Sequence, residues 1–111
     1  MQNLVFLIGR LVSDPEIKKS DTEKDYTSIT LAVQRPFKNI DGLYESDFIR
    51  CKLWNLVAKN VCEYCHKGDL IGVKGRIQIR NYEENEETKY ITEIIVEKVS
   101  FLTSKKQEEA E

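Results

Sequence analysis

Alternating apolar and polar residues along most of the chain predict β-strands. The segment YTSITLAVQR (26–35) alternates apolar or threonine positions with small and polar ones, the period-two pattern of a half-buried strand. The same alternation recurs in SDFIRCKLW (46–54), DLIGVKGRIQIRNY (69–82) and KYITEIIVEKVSFL (89–102). An apolar run, NLVFLIGRLV (3–12), precedes the turn signal Asp14-Pro15. The pattern therefore predicts five strands.

The segment between the third and fourth predicted strands has helical character instead. Asn55 is typical of a helix N-cap, residues 56–67 fit a helix, and Gly68 is typical of its C-terminal stop. Pro36 limits the second strand. Polar loops are expected at KKSDTEKD (18–25), around Asp41-Gly42 and at EENEET (83–88).

Glycines at 72 and 75 interrupt the fourth predicted strand, where a bend or bulge would let the sheet curl. An all-β chain whose one helix lies between strands 3 and 4 of five matches the Greek-key barrel called the OB-fold. At 111 residues the chain is expected to hold one domain. We predict an OB-fold domain over 1–102 and a short polar tail, TSKKQEEAE, over 103–111.

The first predicted strand is apolar on both faces. Leu4, Phe6 and Ile8 alternate with a second apolar set, Val5, Leu7 and Leu11. A domain of this size covers one face of a strand with its own core, so the second face suggests a partner subunit. Burial under the protein's own helix is the alternative.

Net charge gives no sign of a polyanion partner, since 17 basic residues stand against 19 acidic ones. Any nucleic-acid surface must therefore be a local stripe of cations. The chain shows no signal peptide and no apolar run of the ~20 residues that cross a bilayer. We expect a cytoplasmic, nucleoid-associated protein with no membrane contact and with reduced cysteines.

Cys62, Cys65 and His66 spell C-x-x-C-H, the spacing of covalent haem attachment. Met1 is the only methionine and His66 the only histidine, so axial ligation lacks its second partner. Adding Cys51 gives the four ligands of a zinc site, but Cys51 lies on the inward face of a strand and consecutive helix residues point about 100° apart. We interpret the cysteines as small buried hydrophobes and predict no cofactor and no metal.

The third predicted strand has two chemically distinct faces. One carries Ile49, Cys51 and Leu53, and the other carries Phe48, Arg50, Lys52 and Trp54. A solvent face does not need two large rings, and a core face does not hold two cations. The fourth strand repeats the scheme, with Ile71, Val73, Ile77 and Ile79 inward and Lys74, Arg76, Gln78, Arg80 and Tyr82 outward.

Rings that stack on unpaired bases and cations that follow phosphates are what a single-strand binding surface requires. Arg35 and Phe37, at the exit of the second strand, would extend this surface. The alternative is an amphipathic sheet whose rings pack on lysine stems or on another subunit.

Six segments resemble, in order, the bacterial single-stranded DNA-binding protein (SSB) family: VFLIGRLVSDPE, LAVQRPF, SDFIRCKLW, NVCEYCHKG, GVKGRIQIRNYE and TEIIVEKVSFL. The resemblance implies an OB-fold homotetramer that coats single-stranded DNA in replication, recombination and repair. It places the stacking rings at Phe37, Phe48, Trp54 and Tyr82. Phosphate contacts are expected from the cations of the face analysis, Arg35, Arg50, Lys52, Lys74, Arg76 and Arg80.

One departure from the family concerns recruitment of replication and repair proteins. Family members usually end in a long linker and an acidic tip with an apolar close, whereas this chain ends in QEEAE. Coating of DNA is expected to survive this departure, and recruitment of partner proteins is less secure.

The main alternative function is another OB-fold role, such as a primosomal accessory protein or an RNA-binding module. An enzyme is not expected, because Glu83, Glu84, Glu86 and Glu87 lie at a solvated loop tip and form no catalytic constellation.

Overall fold

A computed structural model describes residues 1–104, within which there are six strands and one helix, and five of the strands form a closed barrel. The elements in chain order are β1 (Val5–Leu11), β2 (Lys18–Lys19), β3 (Asp25–Lys38), β4 (Tyr44–Trp54), α1 (Asn55–Tyr64), β5 (Leu70–Glu84) and β6 (Glu87–Thr103). The sheet order is β1-β5-β6-β4-β3-β2, and a further β1–β3 pairing closes the ring. All pairings are antiparallel except β4 with β6, which run parallel.

This closed barrel with its single helix confirms the predicted OB-fold. The helix follows the fourth strand rather than the third, because the two-residue strand β2 was expected to be loop. A pair of lysines carries no period-two signal, so β2 is recognised only through its pairing with β3. Residues 105–111 of the predicted tail lie outside the described residues, and β6 itself ends at Thr103.

The core fills the barrel with alternate residues of every long strand. Its fully buried side chains include Leu31, Leu53, Val61, Ile71 and Val73. Helix α1 packs against β3, β4 and β6 and contributes Ala58 and Val61. No helix within residues 1–104 is long and apolar enough to cross a membrane.

The helix boundaries differ from those predicted. The N-cap residue is Trp54 and not Asn55, and no side chain caps the first turn. Asn55 instead turns the chain from β4 into the helix with φ 55°, a left-handed conformation that asparagine tolerates better than most residues. The helix ends at Tyr64 rather than Lys67, and Gly68, with φ 90°, lies in the turn that follows.

Strands β3, β5 and β6 are longer than predicted. β3 continues through Pro36 to Lys38, because its register with β4 is irregular between Gln34 and Lys38 and no regular ladder bond is required of the proline. β5 and β6 extend until Glu84 pairs with Glu87, so the expected charged loop is a two-residue turn. Asn85 and Glu86 both have positive φ there, as a type I′ turn requires.

The β5–β6 hairpin projects beyond the barrel, which corrects the predicted inward set. Ile71 and Val73 are buried, but Ile77 and Ile79 are 42% and 62% exposed. Alternation assigns these isoleucines to the inner side correctly, yet no core lies beneath them at that point of the hairpin. The bulge expected near the glycines is confirmed, since the β5–β6 register shifts between Lys74 and Gly75.

The two faces of β1 have different environments. Val5, Leu7 and Leu11 belong to or pack against the core. Leu4, Phe6 and Ile8 are 68%, 62% and 49% exposed, so the protein's own helix does not cover them and that alternative is wrong.

Candidate nucleic-acid interface

The outward side of β3, β4, β6 and β5 is here called the outer face. On β4 it carries Phe48, which is 68% exposed, and Arg50, also exposed, followed by the half-buried Lys52 and Trp54. Alternate residues of the strand are turned the other way, and Cys51 and Leu53 are fully buried. The alternation predicted from the sequence is therefore present on this strand.

The strand pairings join the cations of β4 and β5 on one surface. Lys52 lies opposite Ser28 of β3 and beside Ile95 of β6, and Ile95 lies opposite Arg76 of β5. Directly paired residues point to the same side of a sheet, so this row crosses four strands. Lys52 and Arg76 are two strands apart, roughly 10 Å in the hydrogen-bonding direction.

Trp54 belongs to an aromatic cluster that sequence reasoning missed. Tyr26 lies directly opposite Trp54 in the β3–β4 register, and the two ring centroids are 5.3 Å apart at an interplanar angle of 43°. The Lys52 ammonium lies 4.8 Å from the Tyr26 centroid and 4.7 Å from that of Trp54. The available signal was period two, since Tyr26 shares the outward positions of Ser28 and Thr30 on β3.

Two of the predicted phosphate-binding cations are already paired with carboxylates. Arg80 lies 3.3 Å from the carboxylate of Glu93, whose side chain is 8% exposed. Arg35 donates to both oxygens of Asp47 and to Glu45. The hydrogen bonds from Arg35 lower the pKa of Asp47 below its ordinary value, and the same contacts raise the pKa of Arg35.

The position of Arg35 separates it from the outer face. Asp47 and Glu45 alternate with Phe48 along β4, so the side chain of Arg35 lies on the opposite side of the hairpin. Residue 35 would face away from the rings of β4 even in a regular strand. Its position next to the end of the second predicted strand does not show on which side of the hairpin its side chain lies.

The remaining predicted residues lie in the irregular end of β3 and along β5. Phe37 is 66% exposed in the irregular stretch of β3, and Tyr82 is 38% exposed near the end of β5, opposite Lys89. Arg76 donates to the side chain of Gln78 at 2.8 Å. Lys74, next to the bulge, lies opposite Phe6 of β1.

The cysteines of the C-x-x-C-H motif lie apart from the outer face. Cys51 and Cys65 are buried as predicted, whereas Cys62 is half-buried, so the prediction of a buried side chain is wrong for Cys62. Burial raises the pKa of Cys51 to about 12 and that of Cys65 to about 11. Burial thus favours the neutral thiol at both positions, as expected of cysteines that pack as small apolar side chains. Within residues 1–104 no three His, Cys, Asp or Glu side chains are grouped so as to hold a metal ion. His66 is exposed, with Nδ1 3.9 Å from Asp69.

A closed barrel of this topology, with rings and cations interleaved on one sheet face, defines the class of the OB-fold binding domains. The particular family follows from a match of residues 2–102 to the model of the single-strand binding protein family. The chain belongs to that family.

Several bacterial relatives are similar over nearly the whole chain. Single-stranded DNA-binding protein 3 of Listeria innocua is 49% identical over 106 residues, which are 95% of this chain and 66% of that protein. Single-stranded DNA-binding protein B of Bacillus subtilis is 43% identical over 111 residues, covering 99% of this chain and 98% of that protein. The single-stranded DNA-binding protein of Lactiplantibacillus plantarum is 42% identical over 110 residues, 98% of this chain and 55% of that protein. The chain thus spans less than two thirds of the first and third of these relatives.

Proposed function

We propose that the chain binds single-stranded DNA without base-sequence preference and that the outer face is its binding surface. The observation that carries the proposal is the arrangement of β4, where Phe48, Arg50, Lys52 and Trp54 share one side while the intervening residues fill the core. Bases stack on rings and phosphates pair with cations, so this sequence of side chains suits a strand of unpaired nucleotides. Membership of the single-strand binding protein family supports the same ligand.

We assign base stacking to Phe37, Phe48, Trp54 and Tyr82. The phosphate contacts are assigned first to Arg50, Lys52, Lys74 and Arg76, for which no carboxylate lies within ion-pair distance in residues 1–104. Arg80 on the outer face and Arg35 on the opposite side of the β3–β4 hairpin complete the set, but each must exchange a carboxylate for a phosphate, and Arg35 meets only a DNA strand that continues past the edge of the outer face. Such an exchange lowers the net gain from these two contacts, so we expect them to contribute least.

We further propose that the working form is a homotetramer. The exposed apolar row of Leu4, Phe6 and Ile8 on β1 supports this, because a contiguous apolar strand face on a soluble domain marks an association surface. A second copy of the chain would remove this row from water.

The biological role that fits these features is coating of single strands during replication, recombination and repair, in the bacterial cytoplasm at the nucleoid. We place the activity in the OB-fold domain of residues 1–102 and propose that the protein acts by binding, not as an enzyme. Replication and repair proteins are the partners expected beyond DNA and the chain's own copies.

The test is a titration of the wild-type protein with oligo(dT) while the emission of Trp54, the only tryptophan, is followed. We expect quenching that saturates, and replacement of Phe48 by Ala should weaken binding by ~1–3 kcal/mol. Oligo(U) is the control, because a protein that distinguishes RNA from DNA does so through the 2′-OH. Tighter binding of oligo(U), or no change in emission at saturating oligo(dT), would contradict the proposal.

A further inference from the structure

The short strand β2 places a lysine in line with the two rings of the aromatic cluster. Lys18 lies opposite Tyr26 in the β2–β3 register, and Tyr26 lies opposite Trp54 in the β3–β4 register. Directly opposed side chains point to the same side of an antiparallel sheet, so the three residues form one row across three strands. This row lies at the β2 edge of the outer face, and its members Lys18 and Tyr26 are additional to the residues assigned above.

The Lys52 ammonium covers the two rings of this row in the unbound protein. Its distances of 4.8 and 4.7 Å from the ring centroids, with the centroids 5.3 Å apart, form a nearly equilateral triangle. In residues 1–104 no carboxylate lies within ion-pair distance of Lys52 or Lys18. Both ammonium groups can therefore pair with an external anion, and that of Lys52 also lies over the faces of the two rings.

The neighbouring lysine is arranged differently. Lys19 lies opposite Asp25 and pairs with its carboxylate at 2.7 Å, while Lys59 of α1 approaches the other carboxylate oxygen at 3.0 Å. Successive residues of a strand point to opposite faces, so Lys19 is turned away from the rings. The Lys19 side chain is therefore engaged on the face opposite the rings, whereas Lys18 lies beside Tyr26.

We propose that Lys18, Tyr26, Lys52 and Trp54 form a nucleotide subsite at the β2 edge of the outer face. In this subsite Tyr26 shares the stacking of one base with Trp54, and Lys18 contacts a phosphate. The inference rests on the proposed function and adds two residues to the surface that performs it.

The Lys52 ammonium and a base cannot occupy the same ring faces together. A bound base therefore displaces the ammonium, which moves from the rings to a phosphate of the same strand. The exchange replaces a cation–π contact by a stacked base and an ion pair, so it proceeds without leaving the lysine charge unpaired.

The stacking half of the proposal is tested by replacing Tyr26 with Leu, which keeps apolar packing but removes the π-face, and with Phe, which keeps both. Affinity is measured by anisotropy of labelled oligo(dT), so the readout does not depend on Trp54. We expect Tyr26→Leu to weaken binding by about fivefold or more and Tyr26→Phe to retain it within about twofold. The matched control is Tyr64→Leu on α1, which lies off the outer face and should leave affinity unchanged.

The phosphate half is tested by the salt dependence of the same affinity in Lys18→Ala and Lys19→Ala. The two variants remove the same charge from adjacent residues of one strand. We expect Lys18→Ala to flatten the log–log slope by about 0.7, the value for one phosphate on a single strand, and Lys19→Ala to leave the slope unchanged. Circular dichroism verifies the fold of each variant.

Equal effects of Tyr26→Leu and Tyr64→Leu, or equal slopes for the two lysine variants, would overturn the subsite while leaving the proposed function intact. A wild-type protein that fails to bind oligo(dT) would overturn the proposed function itself and the subsite with it. If Tyr26→Leu does not fold, the Lys18 and Lys19 slopes still decide the proposal.

Discussion

Replacement of Gly75 by Ala tests how closely β5 and β6 approach at the bulge of the barrel. A Cβ atom at position 75 would overlap the backbone oxygen of Ile95 and would lie 2.9 Å from its carbonyl carbon and 3.0 Å from the Cα of Val96. Carbon atoms in favourable contact are about 3.5–4.0 Å apart, so the two strands must separate by more than about 0.5 Å. The atoms that must move belong to a backbone ladder and cannot rotate away.

Overpacking of this kind typically costs about 1–3 kcal/mol, and we expect the upper end because the overlap is with backbone. For a domain of about 100 residues, 3 kcal/mol corresponds to a fall in Tm of more than about 10 °C. Arg76 should also move relative to Lys52, since Ile95 lies between them. Weaker binding of oligo(dT) by the folded variant is the expected functional result.

The assay is urea unfolding followed by circular dichroism, with Gly72→Ala as the control in the same strand. A Cβ at position 72 would have its nearest neighbours at 3.8 Å, an ordinary contact, so this variant should be neutral or more stable by about 0.5–1 kcal/mol. The packing argument is refuted if Gly75→Ala and Gly72→Ala have the same urea midpoint and the same m-value within experimental error.

Three further predictions concern assembly, pH and salt. Phe6→Asp should yield folded monomers by sedimentation, whereas Leu7→Asp, which places a charge against the core, should unfold the chain; a folded tetramer in either variant would contradict this. Hydrogen bonds from two lysines hold the pKa of Asp25 below its ordinary value, so their stabilisation is present above the unfolded pKa and lost as pH falls toward the folded one. Asp25→Asn should therefore lose less stability than the wild type below about pH 4, as measured by urea midpoints. The same fall in midpoint for both proteins would count against the ion pairs of Asp25 with the two lysines. Arg50→Ala should flatten the log–log salt slope of oligo(dT) binding by about 0.7, while Lys67→Ala, in the turn after α1, should not.

The barrel could be predicted from sequence because its strands are long and their alternation is regular. Leu31 and Leu53 are fully buried, as their inward parity required, and Phe48 is exposed on the other parity. Gly75 marked the bulge for a local reason, since a residue without Cβ is needed where the strands meet closely. These features depend on neighbours in sequence and on one repeating period.

Features that depend on distant partners were missed. Strand β2 is defined by its backbone pairing with Asp25 and Tyr26 of β3, and nothing in two successive lysines indicates that pairing. Ile77 and Ile79 have the parity of core residues, but parity does not say where along a hairpin the core ends. Period two gives the side of a strand on which a residue lies and not what covers it.

The part of the candidate site that lies along one strand could be predicted from the sequence. The prediction was incomplete for the part that depends on pairing between strands. The β4 alternation identified Arg50, Lys52 and Trp54 as outward residues. Period two also places Tyr26 outward on β3, but its position opposite Trp54 required the β3–β4 register. The pairing of Arg35 with Asp47 and Glu45 likewise depends on a hairpin whose strands are irregular beyond Gln34. A cation identified from the sequence can be assigned to phosphate binding only when the carboxylates near it in the fold are known.

The narrow seam between β4 and β6 has a consequence for local opening of the barrel. Within residues 1–104 these strands are joined through two register pairs, Cys51 with Ile94 and Lys52 with Ile95. Strand pairs with few backbone hydrogen bonds open at lower free energy than long ladders, so amide protons at this seam should exchange early. The proposed contacts of a nucleic-acid strand with Lys52 on one side and Arg76 on the other require the closed seam. At a free ligand concentration 100 times Kd, such a ligand disfavours opening by about 2.7 kcal/mol, and exchange of the amide protons that bond across this seam should slow accordingly.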